Sequence, residues 1–176
     1  MNSTPSMACQ RGAALAVSLI LLLILTVLGA SSVQSTLLDE KMAANYRDRD
    51  AAFQAAEAAL RSAENLILNA ATSDFSDATK WPTAGSLSST GGFLGLNYPD
   101  GGIDYSADSS IWTTAGSYQT YDHPDLPAAS DPRFIIKYEN QPSVSPAVRV
   151  FKITVFAQGK SAGTRVVLRS FYERTN

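Results

Sequence analysis

The sequence predicts an α+β fold: one long N-terminal α-helix, apolar in its first half and amphipathic in its second, with the amphipathic half packed on an antiparallel β-sheet head. Three observations predict it. An uncharged apolar run follows Gly12, a proline-free stretch rich in Ala, Leu, Glu and Arg continues from it, and three alternating segments rich in Val, Ile, Phe and Tyr close the chain. The 176 residues then divide into a leader over 1–12, an apolar helix over 13–38, an amphipathic helix over 39–71 and a loop-rich and sheet-forming head over 72–176.

The apolar helix comes first. Of the 18 residues from Ala13 to Ala30, 15 are Ala, Val, Leu or Ile, interrupted only by Ser18, Thr26 and Gly29. Its Leu, Ile and Val residues favour the membrane by roughly 3 to 7 kcal/mol in sum. No charge lies between Arg11 and Asp39, so the uncharged tract to Leu38 is long enough for a bilayer about 30 Å thick. Arg11 on the N-terminal flank holds that end in the cytoplasm and leaves the remainder outside. Three readings fit this segment: a cleavable secretory signal, a membrane anchor, or a helix used first in lipid and later in an assembly. The signal reading would cut near the small-x-small triplet at Gly29–Ser31. Cys9, the single cysteine, precedes the apolar run, which is the wrong order for a lipoprotein.

The next stretch of chain decides among the three. After the run there is no proline until Pro82. Met42, Tyr46, Phe53, Ala56, Leu60, Ala63 and Ile67 recur at steps of three or four, broken only near Arg49, which predicts an amphipathic stripe. Arg47, Glu57, Arg61 and Glu64 occupy other faces, and Glu57 with Arg61 makes a favourable i,i+4 pair. The helix is thus expected to run from Ala13 to about Ala70. A discarded signal would have no use for that continuation, whereas a subunit packed by neighbours would.

The head begins with turns and long loops over 72–132, marked by Pro82, Pro99, Pro124, Pro127 and Pro132 and by two Gly-Gly pairs. A short strand is expected around Tyr118 to Tyr121. Trp81, Phe93, Leu94, Leu96, Tyr98, Ile111 and Trp112 are the apolar anchors expected to tie these loops to a core. Three strands close the chain: "RFIIKYE", "VRVFKITVFA" and "RVVLRSFYER". In the first, Phe134, Ile136 and Tyr138 share one face. In the second, Phe151, Ile153 and Val155 do so, and in the third Val166, Leu168 and Tyr172 oppose Val167, Arg169 and Phe171. The short link "QGKSAG" makes the last two a hairpin.

Several chemistries are disfavoured. A net charge of −2 argues against nucleic acid, which calls for a basic patch. "GKS" at Gly159–Ser161 lacks the first glycine of a phosphate loop, whose place is taken by Thr154. His123, the only histidine, sits among Asp122, Pro124 and Asp125 as a solvated loop residue, with no G-x-S-x-G to accompany it. Asp100, Asp104 and Asp108 are spaced by four, not by the two of a calcium loop. No catalytic residue, cofactor or metal ligand is assigned.

The stretches "RGAALAVSLILLLILTVLG" and "EKMAANYRDRDAAFQAAEAALRSAE" resemble the N-terminal region of type IV pilin-like precursors, and more narrowly that of the PilX minor pilins. The resemblance covers about Gln10 to Glu64. It implies a pilin-like fold and cleavage by a membrane prepilin peptidase between Gly12 and Ala13, with methylation at Ala13. It further implies residence in the inner membrane with a periplasmic head, then entry into a complex that primes the pilus and caps its tip. The partners implied are other minor pilins, the major pilin and a large tip adhesin. A secretion-system pseudopilin or a membrane-anchored periplasmic binding domain is the alternative. Ala14, Ala16 and Ser18 are small enough for close helix packing, together with Met42, Tyr46, Phe53, Leu60 and Ile67 further along. Two positions depart from the common pattern: Ala13 stands where most pilins begin with Phe, and Val17 where most carry Glu. That Glu pairs with the N-terminal amine of an adjacent subunit, so its absence favours an initiating or tip position.

Overall fold

The computed structural model describes residues 10–96, 98–99, 101, 103–122, 131–139 and 148–175. His123, Asp100 and the prolines at 124 and 127 lie outside the described residues. The chain divides into two units, Met1–Asn45 and Tyr46–Asn176.

Helix α1 spans Gln10–Asn69, within a residue of the C-terminal end expected from the sequence. The Ala, Leu, Glu and Arg content and the lack of proline sustain it. The sheet is built from β1 (Phe93–Leu94), β2 (Gln119–Thr120), β3 (Arg133–Glu139), β4 (Val148–Gln158) and β5 (Arg165–Thr175). Its order is β1-β3-β4-β5, with β2 also on β3. The three closing strands and their antiparallel pairing are those read from the alternation, and β2 falls inside the expected 118–121 segment. The sheet is not wholly antiparallel, however. β1 pairs with β3 in parallel, Phe93 opposite Ile136, because the chain enters from the loops rather than from a hairpin. Gly92 makes this entry possible. Its φ is +80°, and a Cβ there would meet the Tyr118 backbone at 2.8 Å.

Two cores lie on the two faces of the sheet. On one face Phe134, Ile136, Phe151, Ile153, Val155 and Ala157 pack against Ala55, Ala56, Ala59, Ala63 and Ile67 of α1. Phe75 and Trp81 close this core beyond the helix end, with ring centroids 5.5 Å apart and Phe75 4.9 Å from Phe151. On the other face Ile135 and Phe156 pack against Leu94, Tyr98, Tyr105, Ile111 and Trp112, and Trp112 stacks on Phe156 at 5.3 Å. The loops expected to be fastened to a core therefore form a third layer. Burial on both faces explains why β3 reads "FII" and β4 "TVFA", without strict polar alternation.

Candidate functional site: the N-terminal helix and its seat on the head

From Ala13 to Asn45 every residue of α1 is exposed, and the helix is long and apolar enough to cross a membrane. Several hydroxyls within this stretch bond locally to the helix backbone. Ser18 donates to the Leu15 carbonyl at 2.9 Å, Thr26 to Leu23 at 2.8 Å and Ser31 to Val27 at 2.9 Å. Such bonds let hydroxyls enter lipid without an unsatisfied polar group. Ala14, Ala16 and Ser18 lie on this exposed surface, and so does Val17 at 56% exposure. Gly12 and Ala13 fall in the first turn of α1, where the missing Cβ of Gly12 weakens the helix.

In the second unit, α1 meets the sheet through an alanine stripe. Ala52, Ala55, Ala56, Ala59 and Ala63 are buried, followed by Ile67, with Leu60 partly buried at the margin. Tyr46 is 74% exposed and Phe53 42%, on the flank of this face, while Met42 in the first unit is 62% exposed. The packing residues read from the sequence thus separate: Ile67 and Leu60 reach the core, whereas Met42, Tyr46 and Phe53 do not. Tyr46 and Phe53 lie on the flank of a close-packed layer in which alanine methyl groups, Leu60 and Ile67 join Phe134 and Phe151.

Two polar clamps fix the helix to the sheet, and neither was legible in the sequence. Near its start in this unit, the half-buried Asp48 carboxylate sits in the β4–β5 turn. It accepts from the backbone N–H of Lys160 at 2.6 Å and of Ser161 at 3.1 Å. The Thr164 side chain, those two amides and the Lys160 charge hold the Asp48 carboxyl below the usual carboxylate range, against the opposing effect of burial. Gly159 is required for this approach, since a Cβ there would lie 2.6 Å from Asp48 Oδ1. The "GKS" triplet is thus an anion-accepting turn after all, but its anion is a side chain of the same protein. At the other end, Arg174 of β5 donates to the carbonyls of Ile67 at 2.6 Å and Ala70 at 2.7 Å. These are carbonyls of the last turn of α1 and the residue just beyond it, where a cation also complements the helix dipole. Its guanidinium lies 5.3 Å above the Phe75 ring. The expected Glu57–Arg61 pair is present at 3.7 Å.

Of the acidic loop residues, Asp104 and Asp108 have protein partners. Asp104 accepts from the Ser106 backbone and hydroxyl at 2.8 and 3.0 Å, which lowers its carboxyl pKa. Asp108 pairs with Arg165. No group of three or more metal-ligating side chains occurs among the described residues.

Comparison with known proteins bears on the helix. A family model described as PilX N-terminal matches residues 11–61, a span that takes in the apolar segment, Asp48 and most of the alanine stripe. No curated protein and no solved structure matches the chain.

Proposed function

We propose, from the match of residues 11–61 to a family model described as PilX N-terminal, that the chain is a type IV pilus minor pilin that primes pilus assembly and then sits in the tip complex. The role is structural, without catalysis. A membrane prepilin peptidase removes the leader between Gly12 and Ala13 and methylates Ala13. The subunit then waits in the inner membrane as a single-pass protein, N-terminus inward beside Arg11 and head in the periplasm.

The observation that carries this reading is the match over 11–61 to a helix that exposes its apolar surface from Ala13 to Asn45 without a charge before Asp39. In water such a surface is untenable, so it needs lipid first and neighbouring helices afterwards. Ala14, Ala16 and Ser18 permit those neighbours to approach closely. The valine at position 17 supports the initiating place, because a subunit with nothing ahead of it has no amine for a carboxylate to meet. Other minor pilins, the major pilin and a tip adhesin are its proposed partners.

The test is N-terminal sequencing and intact mass of the protein from cells with and without the prepilin peptidase. Methylated Ala13 in the first and an uncut chain in the second are expected. A new terminus at Val33 or retention of Met1 in normal cells overturns the reading. Deleting the gene and scoring surface filaments against exported enzymes separates a pilus subunit from a secretion pseudopilin.

A further inference from the structure

The loop layer of the head contains a hydroxyl that the fold does not answer. Ser117 is only 1% exposed, yet its hydroxyl has no hydrogen-bond partner among the described residues. Buried polar groups are rarely left so, because the loss of water is then uncompensated. The side chain borders a cavity of about 380 Å³ enclosed by the loops around Leu87, Ile103 and Ser110. Backbone contacts hold this cavity in shape. Gly91 N donates to the Gly116 carbonyl at 2.7 Å and Ser117 N to the Thr114 carbonyl at 3.2 Å. Gly116, at φ +83°, lies so close to the Ser88 carbonyl that a Cβ would overlap it. The Tyr98 hydroxyl donates to the Gly85 carbonyl at 3.0 Å. The site is therefore formed before a ligand arrives, which spares the ligand the cost of ordering it.

We infer that this cavity is a binding site for a neutral sugar ring, free or at the end of a glycan chain. The inference goes beyond the pilin reading and does not rest on it. Its lining selects the class. Leu87, Ile103 and Ile111 supply apolar surface for the C–H faces of a ring. The exposed residues Ser86, Ser110 and Thr114 add hydroxyls to that of Ser117, and a hydroxyl can both donate and accept. Asp104 is the charged group of the lining among the described residues. Its two oxygens accept from the Ser106 amide at 2.8 Å and the Ser106 hydroxyl at 3.0 Å, and a carboxylate keeps further lone pairs for a ligand hydroxyl. Those bonds favour its ionised form, so an anionic ligand would be repelled. A planar heteroaromatic ligand finds no ring to stack on, since no aromatic side chain lines the cavity. A wholly apolar ligand would leave Ser117 and Asp104 unpaired. The volume stands near the lower bound of small-ligand sites, roughly 300–1,000 Å³, which suits a ring and not a folded segment.

The experiment uses the full chain in lipid nanodiscs, prepared without sugar-based detergent. Saturation-transfer NMR is recorded at millimolar concentration with glucose, galactose, mannose and N-acetylglucosamine in turn, and with acetate and ethanolamine as charged controls. Transfer to at least one sugar and to neither control is expected. Ser117→Ala should weaken sugar binding about tenfold while leaving the melting temperature unchanged, because that hydroxyl has no internal bond to lose. Ser110→Trp, at an exposed position, should close the cavity and abolish transfer in a head that still melts normally. If Ser117→Ala itself lowers the melting temperature, Ser110→Trp decides alone. No transfer to any sugar, transfer to a charged control only, or sugar transfer undiminished in a normally melting variant overturns the inference. An array of immobilised glycans then separates the two sources: binding on the array assigns a terminal sugar of a glycan, and binding in solution alone assigns a free one. The site lies wholly in the head, so none of these results bears on the trimming at Ala13 that tests the pilin reading.

Discussion

At the scale of single residues, the contact that most shapes the head is the Asp48 carboxylate in the β4–β5 turn. It ties residues 112 positions apart, Asp48 to Lys160, and so holds the start of the sheet-packed helix against the hairpin. Its folded-state pKa is depressed by Thr164, Ser161 and Lys160. The stability it contributes is therefore present above the unfolded value, near 3.9, and is lost as pH falls through the lower folded value. Asp74, held down by Lys80 and by the Ala71 amide, and Asp104 act in the same direction. Asp48→Asn keeps the shape but weakens acceptance from the two amides. It should lower the melting temperature at pH 7 by roughly 2–5 °C and shrink that difference as pH falls below about 4. A melting series of both proteins from pH 7 to pH 3 checks it, and a gap that widens on acidification would contradict the assignment. Gly159→Ala should also weaken this clamp at pH 7, because its methyl group would lie 2.6 Å from Asp48 Oδ1 and push the carboxylate off the two amides.

Among the elements, the alanine stripe sets how closely α1 sits on the sheet. Ala59 is fully buried opposite a layer that already contains Phe134 and Phe151. Ala59→Leu should therefore destabilise the head by about 1–3 kcal/mol through overpacking, measured by chemical unfolding, whereas Phe53→Leu on the flank should be nearly neutral. The contrast also explains what the sequence could convey. Period-three-to-four spacing located the helix and its end, because helical periodicity needs only the residues themselves. It drew one stripe through Met42, Tyr46, Phe53, Ala56, Leu60, Ala63 and Ile67, of which Ala56, Leu60, Ala63 and Ile67 reach the core. Ala52, Ala55 and Ala59 went unread because alanine is both a core residue and a mere helix former, and only the bulk of the opposing strands decides between them. The strands were legible for the same local reason, down to the seven residues of β3. The parallel β1 and both clamps were not, since each joins segments far apart in the chain, whereas the apolar anchors of the loop layer were read directly. Trp112, buried and stacked on Phe156, anchors that layer. Trp112→Ala should cost about 3–5 kcal/mol and free the loops to proteolysis before the sheet unfolds.

For the whole molecule, the two units have opposite relations to solvent: one buries two cores, the other exposes a helix that is apolar and uncharged from Ala13 to Leu38. On the proposed pathway that helix changes surroundings once, from lipid to neighbouring helices, and Val17 is the residue from which the initiating place is proposed. A carboxylate at membrane depth costs on the order of 2.5–3.5 kcal/mol unless a cation meets it. A subunit inside the shaft recovers that cost from the amine of the subunit ahead; a first subunit has none. Val17→Glu is therefore expected to leave the head intact but to reduce priming. Filaments per cell should fall, while those that form keep normal length and composition, as the proposed initiating role requires. Counting filaments by electron microscopy, with immunodetection of the variant in the membrane to confirm its level, separates the two placements. If Val17→Glu instead entered filaments at undiminished frequency and appeared along the shaft, the carboxylate would have found its amine, and the chain would belong among the interior subunits.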